Sequence, residues 1–142
     1  NLRSFFMQKI MREIKFRALK LRTKEFIYGS LMSDDKQGVA MIQQRANPVN
    51  YGNATGWCFG VDPESVGQFT GLQDKNGVDI YEGDVVNCIP KQLYIDSKNM
   101  HGIREVVYDV SHACFFYDEF IPMDWGGIFS YEVIGNVHTT KQ

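Results

Sequence analysis

Two turn signals set inside β-forming sequence, between residues 61 and 86, constrain this chain more than any other feature. Asp74-Lys75-Asn76-Gly77 lies between Phe69-Thr70 and Val78-Asp79-Ile80-Tyr81. Asn-Gly is the strongest short signal for a two-residue hairpin, because both central residues of that turn need φ > 0. Residues 69–72 and 78–81 are therefore expected to pair antiparallel, with Asn76 and Gly77 at the tip. Gly83 interrupts the next run, and residues 84–89 then read as a strand ended by Pro90. Gly83 followed by Asp84 suits a sharp corner at the mouth of that strand.

The rest of the chain is also mainly β in pattern, with little helix. Residues 16–19 and 25–31 flank a polar segment, 20–24, and form a candidate first hairpin. Residues 39–44 read as a strand, and 47–56 as a loop from their Asn, Gly and Pro content. Pro63 forces Asp62 to be extended, which makes Asp62 the N-cap of one helical turn over 63–66. Residues 91–102 are polar and irregular, an expected exposed excursion. Residues 104–110, 113–117 and 131–138 are three further runs rich in Val, Ile, Phe and Tyr. The best helix candidate is 5–14. A chain of 142 residues buries an adequate core as a single domain. That domain is expected over 11–142, with a subdivision allowed near 56–61. Residues 1–10 are read as an N-terminal extension or an expression remnant, with a native start at Met7 or Met11.

Charge is uneven along the chain. Through Lys24 there are eight basic residues against Glu13 alone, a net of +7, so the total of −2 leaves −9 on residues 25–142. A basic arm on an acidic body can mean nucleic-acid binding, or an arm packed on its own body or on a neighbour. The alternation of Ile14, Phe16 and Ala18 with Lys15 and Arg17 favours a strand with one solvated face. Arg17 and Lys20 are the candidate contacts of this arm. The C-terminal third crowds Phe115, Phe116, Tyr117, Phe120, Trp125, Phe129 and Tyr131 among carboxylates. Stacking platforms for single-stranded nucleic acid sit among Lys and Arg instead. Tyr117, Phe120 and Trp125 therefore mark a candidate acidic, aromatic protein-binding edge.

No catalytic motif is present, so neither a reaction nor catalytic residues are assigned, and an enzyme is the less favoured reading. Glu82 and Asp84 are two apart and could form a carboxylate pair for acid–base work or a divalent cation. The alternative has Glu82 solvated and Asp84 serving backbone amides at the Gly83 corner. His112 and Cys114 share a metal-compatible spacing, but no second ligand pair follows, so no metal and no cofactor are expected. Cys58, Cys88 and Cys114 are an odd number without a pairing framework, which suits free thiols in a reducing cytoplasm. No apolar run has the length of a membrane span.

The chain resembles the YopX family of phages and prophages. The resemblance is carried by VDPESVGQFTG (61–71), DKNG (74–77) and IYEGDVV (80–86), with IKFRA (14–18), IYGSL (27–31) and EVIGN (132–136) in order around them. After EVIGN the family often continues with an Asn-Pro-Glu type tail, where this chain has Val137-His138-Thr139-Thr140. The resemblance implies a small SH3-like barrel or roll with an additional N-terminal β segment, a phage or prophage origin and a bacterial host cytoplasm. It brings no catalytic residues. Together these readings give a non-enzymatic accessory module that binds protein, itself included. A nucleic-acid-binding barrel using the basic N-terminal segment is the alternative, and an uncharacterised enzyme comes third.

Overall fold

The computed structural model describes residues 13–44, 57–91, 102–117, 123 and 129–139, the side chain of Tyr117 excepted. The expectations placed on residues 1–10, 47–56 and 92–101, and on Phe120 and Trp125, lie outside the described residues. The chain is mainly β. Its strands are β1 (Phe16–Leu19), β2 (Phe26–Asp34), β3 (Val39–Gln43), β4 (Cys58–Val61), β5 (Gly67–Gln73) and β6 (Asp79–Tyr81). They continue with β7 (Asp84–Pro90), β8 (Gly102–Asp109), β9 (Cys114–Tyr117) and β10 (Phe129–Asn136). One 3-10 turn, Pro63–Ser65, joins β4 to β5.

The strands form two antiparallel sheets, ordered β4-β3-β2-β1-β5-β6 and β10-β7-β8-β9. The first sheet rolls. β1 pairs with β2 along one edge, while its other edge meets β5 at Phe16 and Arg17 and β4 through a single Lys20–Val61 bridge. Between those contacts the 3-10 turn closes on β1. The Leu19 N–H donates to Ser65 Oγ at 2.8 Å, and the Asp62 N–H to Leu19 O at 2.9 Å. Asp62 caps the turn by accepting the Glu64 N–H at 3.1 Å, as its place before Pro63 predicts. The roll encloses Ala18, Ile27, Ala40, Ile42 and Val61. The pairings among the described strands stop short of a closed barrel.

The second sheet buries Val86, Cys88, Val106, Phe129 and Tyr131 in one cluster with Ile80 of β6. Each such side chain, fully buried, contributes roughly 1.5–3 kcal/mol. Ile80 therefore ties the two sheets together. The β5–β6 turn does the same from the side, since the Lys75 N–H donates to Tyr131 O at 2.9 Å.

That turn differs from the two-residue form expected. Gly77 has φ +80, but Asn76 is not among the residues with positive φ. The Gly77 N–H donates to Asp74 O and the Asp74 N–H to Val78 O, at 3.0 and 2.8 Å. This is the wider hairpin in which a tight turn is followed by one left-handed glycine. The Asp74 carboxylate selects it by accepting the Asn76 and Val78 N–H groups at 2.8 and 3.0 Å, a local competition that dipeptide signals do not report.

Candidate functional site

Arg17 sits in the middle of β1 with its side chain toward the second sheet, and it is only 7% exposed. Its Nη2 donates to Asp84 Oδ1 at 2.5 Å. The guanidinium carbon lies 4.7 Å from the ring centroids of both Phe26 and Tyr81. A flat, weakly hydrated cation is the one positive charge suited to such a place, because aromatic faces and a carboxylate replace its water. Asp84 opens β7 and is 1% exposed. Its Oδ2 accepts the Tyr81 N–H at 2.8 Å, and Asn136 Nδ2 stands 3.4 Å from its Oδ1. Asn136 in turn accepts the His138 N–H at 2.8 Å. Gly83, at φ +82, makes the corner that aims Asp84 inward, and its N–H donates to Val106 O at 2.8 Å.

The alternation read as a strand with a solvated Lys15/Arg17 face is thereby corrected. Both faces of β1 are covered, one by the roll and one by the sheet junction. The partner that takes Arg17 out of water is 67 positions away, beyond the reach of any periodicity. Lys15 is also engaged. Its Nζ donates to Asp79 at 2.7 Å and lies 4.3 Å from the Phe69 ring centroid. Burial acts to lower the Lys15 pKa, but the Asp79 hydrogen bond and charge outweigh it and hold the ammonium above its ordinary value. Burial also pushes the neighbouring Tyr81 phenol up to about 12. Lys20 stays nearer solvent, 4.8 Å above the Phe59 ring and 4.0 Å from Glu25.

The two carboxylates of the Glu82/Asp84 spacing do different work. Asp84 serves a backbone amide at the Gly83 corner, and it also neutralises Arg17. Glu82 is half-buried rather than solvated. Burial pushes its carboxyl pKa up, against the opposite pull of the Gln68 and Tyr108 N–H groups, with Glu105 adding to the rise. His112 pairs with Asp109 at 2.6 Å. Among the described residues no group of His, Cys, Asp and Glu could hold a metal ion. Cys58, Cys88 and Cys114 are free cysteines, exposed, buried and intermediate in turn. Burial lifts the Cys88 thiol to about 11. Tyr117 closes β9 opposite Val106.

Among the described residues, clefts lie on the outside of this frame, the largest of about 380 Å³ beside Ile14, Lys15 and Tyr28. One, of about 350 Å³, runs between β5 and the β8–β9 hairpin and is lined by Gln68, Thr70, Leu72, Tyr108, Cys114 and Phe115. Another, of about 230 Å³, is bounded by the β2–β3 hairpin and the 3-10 turn and is lined by Leu31, Asp34, Asp35, Val39, Pro63 and Val66. No helix among the described residues is long and apolar enough to cross a membrane.

The junction gathers Arg17 from IKFRA, Tyr81 and Asp84 from IYEGDVV, and Asn136 from EVIGN, three separate blocks of the sequence resemblance. The family model described as YopX protein matches residues 15–141. The chain belongs to the YopX family. No curated protein matches it. Among solved structures, this YopX chain is similar to protein EF1440 from Enterococcus faecalis, at 25% identity and a TM-score of 0.50. The match covers 89% of this chain and 94% of that one. In this YopX chain the junction is a sealed structural contact, with its cation stacked and both carboxylate oxygens engaged. Sequence reading did not find Asn136 or the Lys15–Asp79 pair. Lys15 and Asn136 fall in the blocks IKFRA and EVIGN that carry the family resemblance, while Asp79 lies outside every block.

Proposed function

We propose that this YopX protein is a non-enzymatic accessory protein of a phage or prophage that acts in the host cytoplasm by binding protein, copies of itself included. The observation that carries this reading is the fate of the cations and the apolar side chains. Arg17 is sealed against Asp84 and Lys15 is paired with Asp79, while Trp57 is 75% and Ile103 63% exposed. Large exposed apolar side chains beside polar rims suit protein contacts. Phosphate binding needs free cations, and Arg17 is withdrawn from that role. The YopX membership supports the phage or prophage setting.

The test is affinity capture with the tagged chain from lysogenic bacterial lysate, with and without nuclease, followed by binding of the purified chain to mixed-sequence duplex DNA. Captured protein that survives nuclease, together with no submicromolar salt-sensitive DNA binding, is the expected result. Capture that nuclease abolishes, or tight salt-sensitive DNA binding, overturns the reading in favour of nucleic acid.

A further inference from the structure

Two surfaces of the roll are opposite in charge, one with an exposed apolar side chain and the other with an apolar-lined cleft. At one corner the β1–β2 turn lies against β4: the Leu21 N–H donates to Gly60 O at 3.2 Å, and the Lys20 ammonium covers the Phe59 ring. This corner presents Leu21 (56% exposed) with Lys20, Arg22 and Lys24, against Glu25 alone within the turn. It is a basic rim around one exposed apolar side chain. The second surface is the 230 Å³ cleft at the β2–β3 hairpin. Its lining is mainly apolar and includes the exposed carboxylates Asp34 and Asp35, with exposed Glu64 on the 3-10 turn that bounds it, against Lys36 alone within the hairpin turn.

We infer that the acidic-rimmed cleft of the β2–β3 hairpin receives the basic, apolar corner of a second copy of this chain. The inference rests on the protein-binding reading and names both surfaces and the partner. The cleft, of about 230 Å³, is of a size to take one large apolar side chain, which Leu21 supplies. The charges around it are those that Arg22 and Lys24 complement. Opposite charges on one molecule steer like molecules together and fix which faces meet. Because donor corner and acceptor cleft are different surfaces, the contact closes as a reciprocal pair or propagates head to tail.

The test is sedimentation velocity on the wild-type chain and two charge variants. One variant is Arg22→Glu with Lys24→Glu. The other is Asp35→Lys with Asp34→Asn, which keeps the acceptor that Asp34 offers to the Lys36 and Gln37 N–H groups. All four side chains are exposed, so both variants keep the fold, and circular dichroism checks this. The wild type is expected to associate at about 100 µM in about 50 mM salt and to move toward monomer at about 500 mM, where charges are screened within a few Å. Each variant alone is expected to sediment as monomer. Mixing the two restores association, because the acidic corner of the first now fits the basic rim of the second. A wild type that stays monomeric overturns the inference, as does a variant that associates undiminished or a mixture that fails to recover. A monomer that still captures host protein after nuclease leaves the protein-binding reading standing and removes only this interface.

Discussion

Arg17 and Lys20 belong to one basic segment, three residues apart, and end in opposite surroundings. Arg17 lies in the junction between the sheets, stacked on two rings and paired with a carboxylate that is almost fully buried. Lys20 lies at the β1–β2 corner, within reach of water, with Arg22 and Lys24 exposed beside it. The difference comes from what is packed against each residue. β7 delivers Asp84 to Arg17 through the Gly83 corner, whereas Lys20 meets the Phe59 ring of β4 and the exposed Glu25 of its own turn. A charge run therefore states how many cations a segment has and leaves open how many face a partner. In this protein the junction consumes charge to join sheets, and the corner keeps it at the surface.

The largest effect that can break this contrast is at the junction. Removing one member of a buried ion pair leaves the other charge uncompensated and costs about 3–5 kcal/mol. Asp84→Asn or Arg17→Met is expected to lose that much in urea unfolding. Arg22→Met at the corner should stay within about 0.5 kcal/mol of wild type, as surface substitutions do. The double change Arg17→Met with Asp84→Leu should recover much of the loss, because replacing both charges by apolar groups is often close to neutral. Equal losses at the junction and the corner would show that Arg17 is not held as described.

Much of this architecture is legible in the sequence, because its causes are local. The first hairpin over β1 and β2, the Asp62 cap, the Gly83 corner and the position of the 74–77 turn all follow from neighbouring residues. The misreadings share one physical origin. Arg17 appeared solvated because alternation marks two faces of a strand without saying what lies against the second. Glu82 appeared solvated because its burial comes from β5 and β8, far along the chain. The Asn76-Gly77 signal gives the position of the turn but not its form, because Asp74 reaches forward to two amides and favours the wider loop. The junction is half visible in the sequence: the Gly83 corner marks Asp84 as a carboxylate serving the backbone, but nothing local marks Arg17 as its cation.

Asp74 sharpens the comparison with an intermediate effect. It joins the β5–β6 turn to β10, since its Oδ2 accepts the Val133 N–H at 3.1 Å. Burial alone would raise its pKa, but the Val78, Val133 and Asn76 N–H groups outweigh that and hold it below the ordinary value. A carboxyl with a lowered folded-state pKa contributes stability that is present above its unfolded value near 3.8 and is lost as pH falls through the folded value. Asp74→Asn turns an amide NH₂ toward a backbone N–H and is expected to cost about 1–3 kcal/mol at pH 7. The deficit should shrink as the pH is lowered below 3.8, which urea titrations at several acid pH values will measure. A pH-independent deficit would mean that the carboxylate charge is not what holds the turn.

The smallest effect makes the most direct contrast, because it repeats one chemical change two residues from Asp84. Glu82 is half-buried with no cation paired to it in the described structure, and its pKa is raised chiefly by burial. The sign of its linkage is therefore opposite to that of Asp74. Below its unfolded value near 4.5 the group is protonated in both states and carries no penalty. As pH rises through the raised folded value, the ionised form is disfavoured in the fold and stability falls. Glu82→Gln removes that charge and keeps one carbonyl acceptor for the Gln68 or Tyr108 N–H. It should stabilise the protein at pH 7 by less than about 1 kcal/mol and change little at pH 4, measured by urea unfolding at both values. Carboxylate to amide would then destabilise at Asp84 and stabilise at Glu82. The decisive difference is a guanidinium within hydrogen-bonding distance of one carboxylate and absent from the other. Loss of stability on Glu82→Gln at pH 7 would show instead that the two backbone N–H groups outweigh burial at this corner, making Glu82 a second anchor between the sheets.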